Sequence, residues 1–342
     1  MADTLRFAVL GVGRIGSIHA RNIGELSRAR DTGGTYVSCA TLACVCDVNA
    51  QAAEAMAAEL GAKAVGIDEA VGSPDVDAVV ICTPTDTHAE LIDRAAAAGK
   101  AIFCEKPIDM DAARIRTSLA GVAGAGVALM IGFNRRFDPS FAALKTRLDS
   151  GEIGDVELVT ILSRDPAPPP VEYIKRSGGL FRDMMIHDLD MARFLLGDEP
   201  VSVYASASAL VDPAIGAAGD VDTAVCVLKT ASGKIAQISN SRRAAYGYDQ
   251  RIEVHGAKGM LAAGNRTATT VTAATAQGYA SDPALPFFLE RYAEAYRAEI
   301  ASFIKAVRSG AAPSPSGEDG LKAQILADAA TESARTGAPV AL

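Results

Sequence analysis

Residues 5–22 read LRFAVLGVGRIGSIHARN. Leu5–Leu10 is a short apolar run that stops at Gly11-Val12-Gly13-Arg14-Ile15-Gly16. Beyond it Ile15, Ile18, His19, Asn22, Ile23 and Leu26 recur at helical spacing. The reading is strand, glycine turn, helix. Three glycines in this spacing carry most information when they sit between a strand and a helix. Gly11 permits the tight turn, Gly13 lets backbone approach a pyrophosphate, and Gly16 lets helix and strand pack closely. The helix start adds unpaired N–H groups and a partial positive charge, which suit phosphates.

The next strand pattern, Thr41–Cys46, ends in Asp47. An acid there accepts hydrogen bonds from adenosine ribose hydroxyls. The separation from Gly16 is 47 − 16 = 31 residues, against the usual ~20. A polar, glycine-containing insert at Arg28–Thr35 accounts for the excess. Val48 follows Asp47, so nothing adjacent neutralises the carboxylate, which favours NAD over the 2′-phosphate of NADP.

Helix and strand patterns then alternate. Gln51–Leu60, Ala89–Ala98 and Asp111–Val122 read as helices, and Asp77–Cys82, Ala101–Cys104 and Val127–Ile131 as strands. Such alternation implies a parallel sheet covered on both faces, with ligands beyond the carboxyl ends of its strands. The polar residues at those ends are Asp47, Thr83, Thr85, His88, Glu105, Lys106, Asn134 and Arg135. Lys106 is the most pointed, since a lysine at the crevice reaches a substrate hydroxyl. Pro107 admits a cis bond that would aim it.

The second half reads differently. After a helix at Pro139–Leu148 and a strand at Asp155–Ser163, Arg164–Arg176 is proline-rich and expected to be irregular. Ser177–Gly197 (SGGLFRDMMIHDLDMARFLLG) reads as one long buried helix. Asp183 and His187, four apart, share a face of it, and Asp190 lies three further on. Strand patterns follow at Val201–Leu210, Asp222–Thr230, Lys234–Asn240, Tyr248–Gly256, Met260–Ala263 and Thr267–Thr272. Two helices close the chain, Pro286–Arg308 and Gly317–Thr336. The expected class is α/β, a doubly wound parallel sheet over residues 1–133 and an α+β domain over 134–342 with an open, mostly antiparallel sheet.

Composition narrows the function. The 342 residues are 49% hydrophobic and 22% charged, with a net charge of −8, which argues against nucleic acid or an anionic membrane as partner. No run of about 18 apolar residues exists, and the start reads straight into a strand without a signal peptide. Six cysteines without a CxxC pair, and four histidines without HxxxH spacing, speak against a metal site. A cytoplasmic setting is expected.

The segments Gly11–Gly16, Thr83–His88, Glu105-Lys106-Pro107, Gly132–Asp138 and Gly178–Phe194 together resemble the Gfo/Idh/MocA oxidoreductase family. ICTPTDTH, FCEKPID, GFNRRFDP, SRDP, YIKRSGG and SNSRRAAYGYDQRIEVHG are most similar to its inositol-oxidising members. The resemblance implies a Rossmann domain, a second domain used in tetramer formation, and hydride transfer from a cyclitol secondary alcohol to NAD. It implies myo-inositol going to 2-keto-myo-inositol, with a scyllo-inositol or aldose dehydrogenase, and further off a redox glycosidase, as alternatives.

It assigns catalysis to Lys106, Asp183 and His187. Cofactor contacts fall to Gly11, Gly13, Arg14, Ile15, Gly16, Asp47, Val48, Thr83, Pro84, Thr85, His88, Glu105 and Lys106. Lys106, Asn134, Arg135, Asp165, Asp183, His187 and one of Tyr246 and Tyr248 fall to the polyol. Where some relatives carry a histidine before the pocket, this chain has Ser163.

Overall fold

The computed structural model describes residues 4–27 and 39–342. The insert Arg28–Thr35 lies outside the described residues. The chain divides into two compact units, residues 1–134 with 296–322, and residues 135–295 with 323–342.

The first unit is built on β1 (Leu5–Leu10), β2 (Ala40–Cys46), β3 (Lys63–Ala64), β4 (Ala78–Ile81), β5 (Ala101–Cys104) and β6 (Leu129–Ile131). They form one parallel sheet in the order β3-β2-β1-β4-β5-β6, the doubly wound order that carries a dinucleotide crevice where it reverses. β1, β4, β5 and β6 are buried on both faces, which explains their continuous apolar runs. Register aligns Leu10 with Cys46 and Ile81, Ile81 with Cys104, and Cys104 with Ile131. The residues just past these ends (Gly11, Asp47, Cys82, Glu105 and Gly132) therefore lie along one edge. The helix Ala293–Ser309 returns from far along the chain, and its Phe303 stacks edge-on against Phe7 and Phe103.

The second unit holds β7 (Val156–Arg164), β8 (Pro200–Ser208), β9 (Thr223–Thr230), β10 (Ile235–Ser241), β11 (Asp249–Gly256) and β12 (Gly259–Ala263). A separate hairpin pairs β13 (Thr272–Thr275) with β14 (Gly278–Ser281), and β15 (Val340–Ala341) ends the chain. The open sheet runs β12-β11-β7-β10-β9-β8-β15 and is antiparallel except where β7 meets β10. Burial alternates along β9, with Ala224, Cys226 and Leu228 facing the core.

Four expectations change. Pro286–Arg308 is not one helix, since Phe288–Arg291 ends at Tyr292 and Ala293–Ser309 follows as a separate element. Thr267–Thr272 is not a strand: Thr267 makes one isolated bridge to Ala284, and pairing begins at Thr272. Arg164–Arg176 is not irregular throughout, because Val171–Ser177 is helical behind the prolines. The segment Ser177–Gly197 is not one α-helix. Gly178 and Gly179 have φ of +83° and +81°, which stops the first helix. Phe181–Met185 then forms a π turn, and only Ile186–Leu196 is regular α-helix, ended by Gly197 at φ +59°.

Candidate active site

The glycine turn behaves as its sequence predicts. Gly11 has φ +89°, and a Cβ there would lie 2.7 Å from the Cys82 carbonyl oxygen. A Cβ on Gly16 would lie 1.8 Å from the Gly11 carbonyl oxygen. Gly13 has nothing within 4 Å of its Cβ position, and it precedes a helix whose start carries no side-chain cap. This is the cradle a pyrophosphate needs: open at one glycine, tight at the other two, with unpaired N–H groups facing it. Asp47 accepts from the backbone N–H of Val12 and of Asn49, each at 2.8 Å. It thus ties the turn to the second strand while keeping lone pairs for other donors. Val48 is fully exposed beside it. These residues fit NAD.

The loop after β4 is pinned from within. His88 is buried, with Nδ1 2.8 Å from the Pro107 carbonyl oxygen and Nε2 2.8 Å from that of Thr83. Burial lowers its pKa, against the pull of those two carbonyls. Its ring is engaged with backbone, so it acts on the Thr83 and Lys106 loops by holding them. The Thr87 hydroxyl donates to the Thr83 hydroxyl oxygen at 2.6 Å. Lys106 is half-buried at the end of β5, and the Lys106–Pro107 peptide is cis. Asn134 is buried just past β6.

In the second unit the acid and imidazole stand at the π turn. Such turns, with i→i+5 hydrogen bonds, occur mostly as single turns within helices, often at functional sites. Asp183 sits inside it and His187 just after it, both half-buried. The Tyr173 hydroxyl donates to Asp183 Oδ1 at 2.9 Å, and Arg242 Nη2 donates to Oδ2 at 3.2 Å. The Nδ1 atom of His187 is enclosed by protein. Tyr173 and Arg242 escape the sequence reading. Tyr173 lies in the helix hidden behind the proline run, and Arg242 comes from just past β10, 59 residues beyond Asp183.

Around this pair the other expected residues divide. Asp165 is half-buried, and burial, followed by the opposing effect of Arg242 and Arg135, leaves its carboxyl raised to about 6. Arg135 is buried and ion-paired with Asp188, and its other amino group donates to the Ser163 hydroxyl at 3.2 Å. Asn240 Nδ2 donates to Asp188 at 2.9 Å, and Gln250 bonds Ser163 at 3.0 Å and Tyr292 at 3.0 Å. Burial opposes the Arg135 charge and Asp188 more than offsets it, so the guanidinium is held above its ordinary range. Asp190 is fully buried and bound by Arg136 at 2.7 Å, with Arg193 3.8 Å away.

Tyr246 and Tyr248 do not share a strand face. Gly247, at φ +109° with the Ala284 carbonyl 2.4 Å from its Cβ position, breaks the chain before β11 begins at Asp249. Tyr248 is buried edge-on against Tyr292 and Phe287. Tyr246 is 47% exposed and donates to Asp249 at 2.7 Å.

The nucleotide cradle of the first unit is that of a dinucleotide-dependent protein, and the acid and imidazole at the π turn of the second are the residue types an oxidoreductase of that class uses. Residues 5–133 match the NAD-binding Rossmann-fold domain of an oxidoreductase family, and residues 145–342 match its C-terminal alpha/beta domain. The chain belongs to the Gfo/Idh/MocA oxidoreductase family. It is 57% identical over 330 residues to an inositol 2-dehydrogenase of Rhizobium meliloti strain 1021, covering 96% of this chain and 97% of that one. Among solved structures, a myo-inositol dehydrogenase from Corynebacterium glutamicum superposes with a TM-score of 0.93 at 44% identity, over 99% of each chain. A scyllo-inositol dehydrogenase from Lactobacillus casei, solved with NAD(H) and scyllo-inositol, gives 0.89 at 32%, again over 99% of each chain.

Proposed function

We propose that this enzyme oxidises a ring hydroxyl of an inositol with NAD, converting myo-inositol to 2-keto-myo-inositol. The observation that carries the chemistry is Asp183, held at a π turn by Tyr173 and Arg242, one residue before a run of apolar side chains that leads to His187. NAD, when bound, accepts the hydride. His187 takes the hydroxyl proton, because imidazole titrates near the working pH. Asp183 orients that imidazole and stabilises its cation. Lys106 donates to the reacting hydroxyl or to its neighbour and stabilises developing negative charge. Asn134, Asp165 and Tyr248 meet the remaining hydroxyls, while Arg135, committed to Asp188, holds the helix that carries His187.

The relatives named above act on myo- and scyllo-inositol. The relatives differ in the stereoisomer they are named for, so the test compares both. A panel of myo-inositol, scyllo-inositol and glucose with NAD and with NADP, followed by absorbance of the reduced cofactor, tests the proposal. Reduction of NAD by myo-inositol is expected, with slower turnover on the others. Activity on glucose alone would overturn the substrate assignment.

We also read the enzyme as a cytoplasmic homotetramer of inositol catabolism. Support for assembly is the outward face of the second sheet, where Leu158, Tyr204, Val225 and Ile235 are each about two-fifths exposed on neighbouring strands. A row of apolar side chains on an open sheet marks an association surface. Light scattering should give four chains, and Val225→Asp should lower that mass. A monomeric wild type would remove this part. Among the described residues no helix is long and apolar enough to cross a membrane.

A further inference from the structure

Apart from the proton-transfer residues, three ionisable groups meet inside the first unit. His19 comes from the helix Arg14–Leu26, Glu105 follows β5, and Glu299 comes from the helix Ala293–Ser309. The side chains of His19 and Glu299 are 0% exposed and that of Glu105 is 13% exposed. His19 Nε2 lies 2.7 Å from Glu105 Oε1 and 3.9 Å from Glu299 Oε1. Phe103 and Tyr296 close edge-on over the imidazole. Neither oxygen of Glu299 has a hydrogen-bond partner, and neither does His19 Nδ1.

The protonation state follows from these contacts. An imidazolium would put a charged Nδ1–H where no acceptor exists, a heavily penalised arrangement. These contacts put a hydrogen on Nε2, where it donates to Glu105. Glu299 then has no donor to stabilise a carboxylate. Burial first, and the Glu105 charge second, push its carboxyl well above the ordinary range. The cluster holds one negative charge, on Glu105, and one proton, on Glu299. Glu105 is also held from behind, since a Cβ on Gly132 would lie 3.0 Å from its carboxyl carbon.

We propose that His19 and Glu299 are positioning residues for the Glu105–Lys106–Pro107 turn: His19 clamps Glu105 by a hydrogen bond, and a proton resident on Glu299 keeps the cluster at a single negative charge. The effect on turnover rests on the role given to Lys106 above, whereas the resident proton stands independently of it. The ionisable groups facing Glu299 are His19, Glu105, Tyr296 from its own helix and Cys82 beyond β4. Burial, then Glu105, pushes the Cys82 thiol well up, so it is neutral as well.

Folding takes up the Glu299 proton once the pH exceeds the carboxyl value of the unfolded chain. Stability from this group is full below that value and falls as pH rises towards the folded one, about tenfold in the folding constant per pH unit. Denaturant unfolding of the full-length wild type and of Glu299→Gln at pH 5, 6 and 7 reads this directly. Glutamine keeps the shape without the titration, so the variant's folding constant should gain about tenfold on the wild type's per pH unit. A ratio flat with pH overturns the resident proton. So does one equivalent of divalent metal in the purified wild type that Glu299→Gln lacks, since the three groups would then be ligands.

His19→Ala should lower kcat about tenfold or more, the scale of a displaced catalytic group, with the NAD dissociation constant unchanged. His19→Gln, which retains an N–H donor, should recover most of it. Wild-type kcat in His19→Ala overturns the positioning role. Wild-type turnover in Lys106→Ala, with the pH-dependent ratio intact, would instead remove the reading of Lys106. If His19→Ala does not fold, the unfolding of Glu299→Gln decides.

Discussion

The pair Arg135–Asp188 gives the sharpest energetic prediction. Both side chains are almost wholly inaccessible, at 6% and 0%. Asp188 also accepts from Asn240 at 2.9 Å. Replacing Asp188 by alanine leaves the guanidinium buried beside a lost partner and strips Asn240 of the nearer of its two acceptors, the other being the Ser163 carbonyl oxygen at 3.3 Å. Removing one member of a buried pair costs about 3–5 kcal/mol. The amide N–H left unsatisfied adds about 1–3 kcal/mol, partly relieved if water enters the gap. A loss of about 4 kcal/mol is roughly a thousandfold in the folding constant. At about 2–4 °C per kcal/mol for a domain of 150–250 residues, the transition of the second unit should fall by roughly 8–16 °C. Denaturant titration followed by circular dichroism measures it, with the double variant Arg135→Met/Asp188→Leu as control. The double variant should recover much of the loss, because well-packed apolar replacements of buried pairs are often neutral. A single variant within about 1 kcal/mol of wild type, or a double variant worse than the single, would refute the reasoning.

Two further outcomes follow from the geometry. Gly16→Ala puts a methyl 1.8 Å from the Gly11 carbonyl oxygen, so the turn must open. NAD affinity, read by fluorescence titration, should fall at least about tenfold, with about 1–3 kcal/mol lost in stability. Asp165, raised to about 6, accepts from hydroxyl donors more strongly when ionised, so kcat/KM should rise with pH through about 6, and Asp165→Asn should remove that limb. The same raised value makes folding take up a proton there, so Asp165's contribution to stability is full below the ordinary carboxylate range and is lost as pH rises to about 6. Urea unfolding of wild type and Asp165→Asn between pH 4 and pH 7 measures the difference.

Much of the first unit was legible because its signals are local. Gly11, Gly13 and Gly16 each have a distinct steric requirement, and strand ends announce themselves as polar residues after apolar runs. The two-residue edge strands β3 and β15 have no pattern to read. In the second unit the decisive contacts are distant in sequence. Arg135 reads as a hydroxyl contact, and its pairing with Asp188, 53 residues away, leaves no local signal. Asp190 reads as open until Arg136, 54 residues away, is found around it. The Ser177–Gly197 segment has helical periodicity throughout, and periodicity does not distinguish a π turn from an α turn. Its two glycines at the start are the local sign that the helix is interrupted. Tyr173 was hidden because Pro166–Pro170 suggest a loop, whereas Pro170 in fact precedes a helix.

In the proposed chemistry His187, oriented by an Asp183 that Tyr173 and Arg242 hold, takes the proton from an inositol hydroxyl during NAD reduction. Stopped-flow absorbance of the reduced cofactor, with myo-inositol and either wild type or His187→Ala, tests it most directly. The wild type should reduce NAD, and the variant should turn over about 10²–10⁴ times more slowly with NAD binding unchanged. Equal rates in the two proteins would contradict the claim.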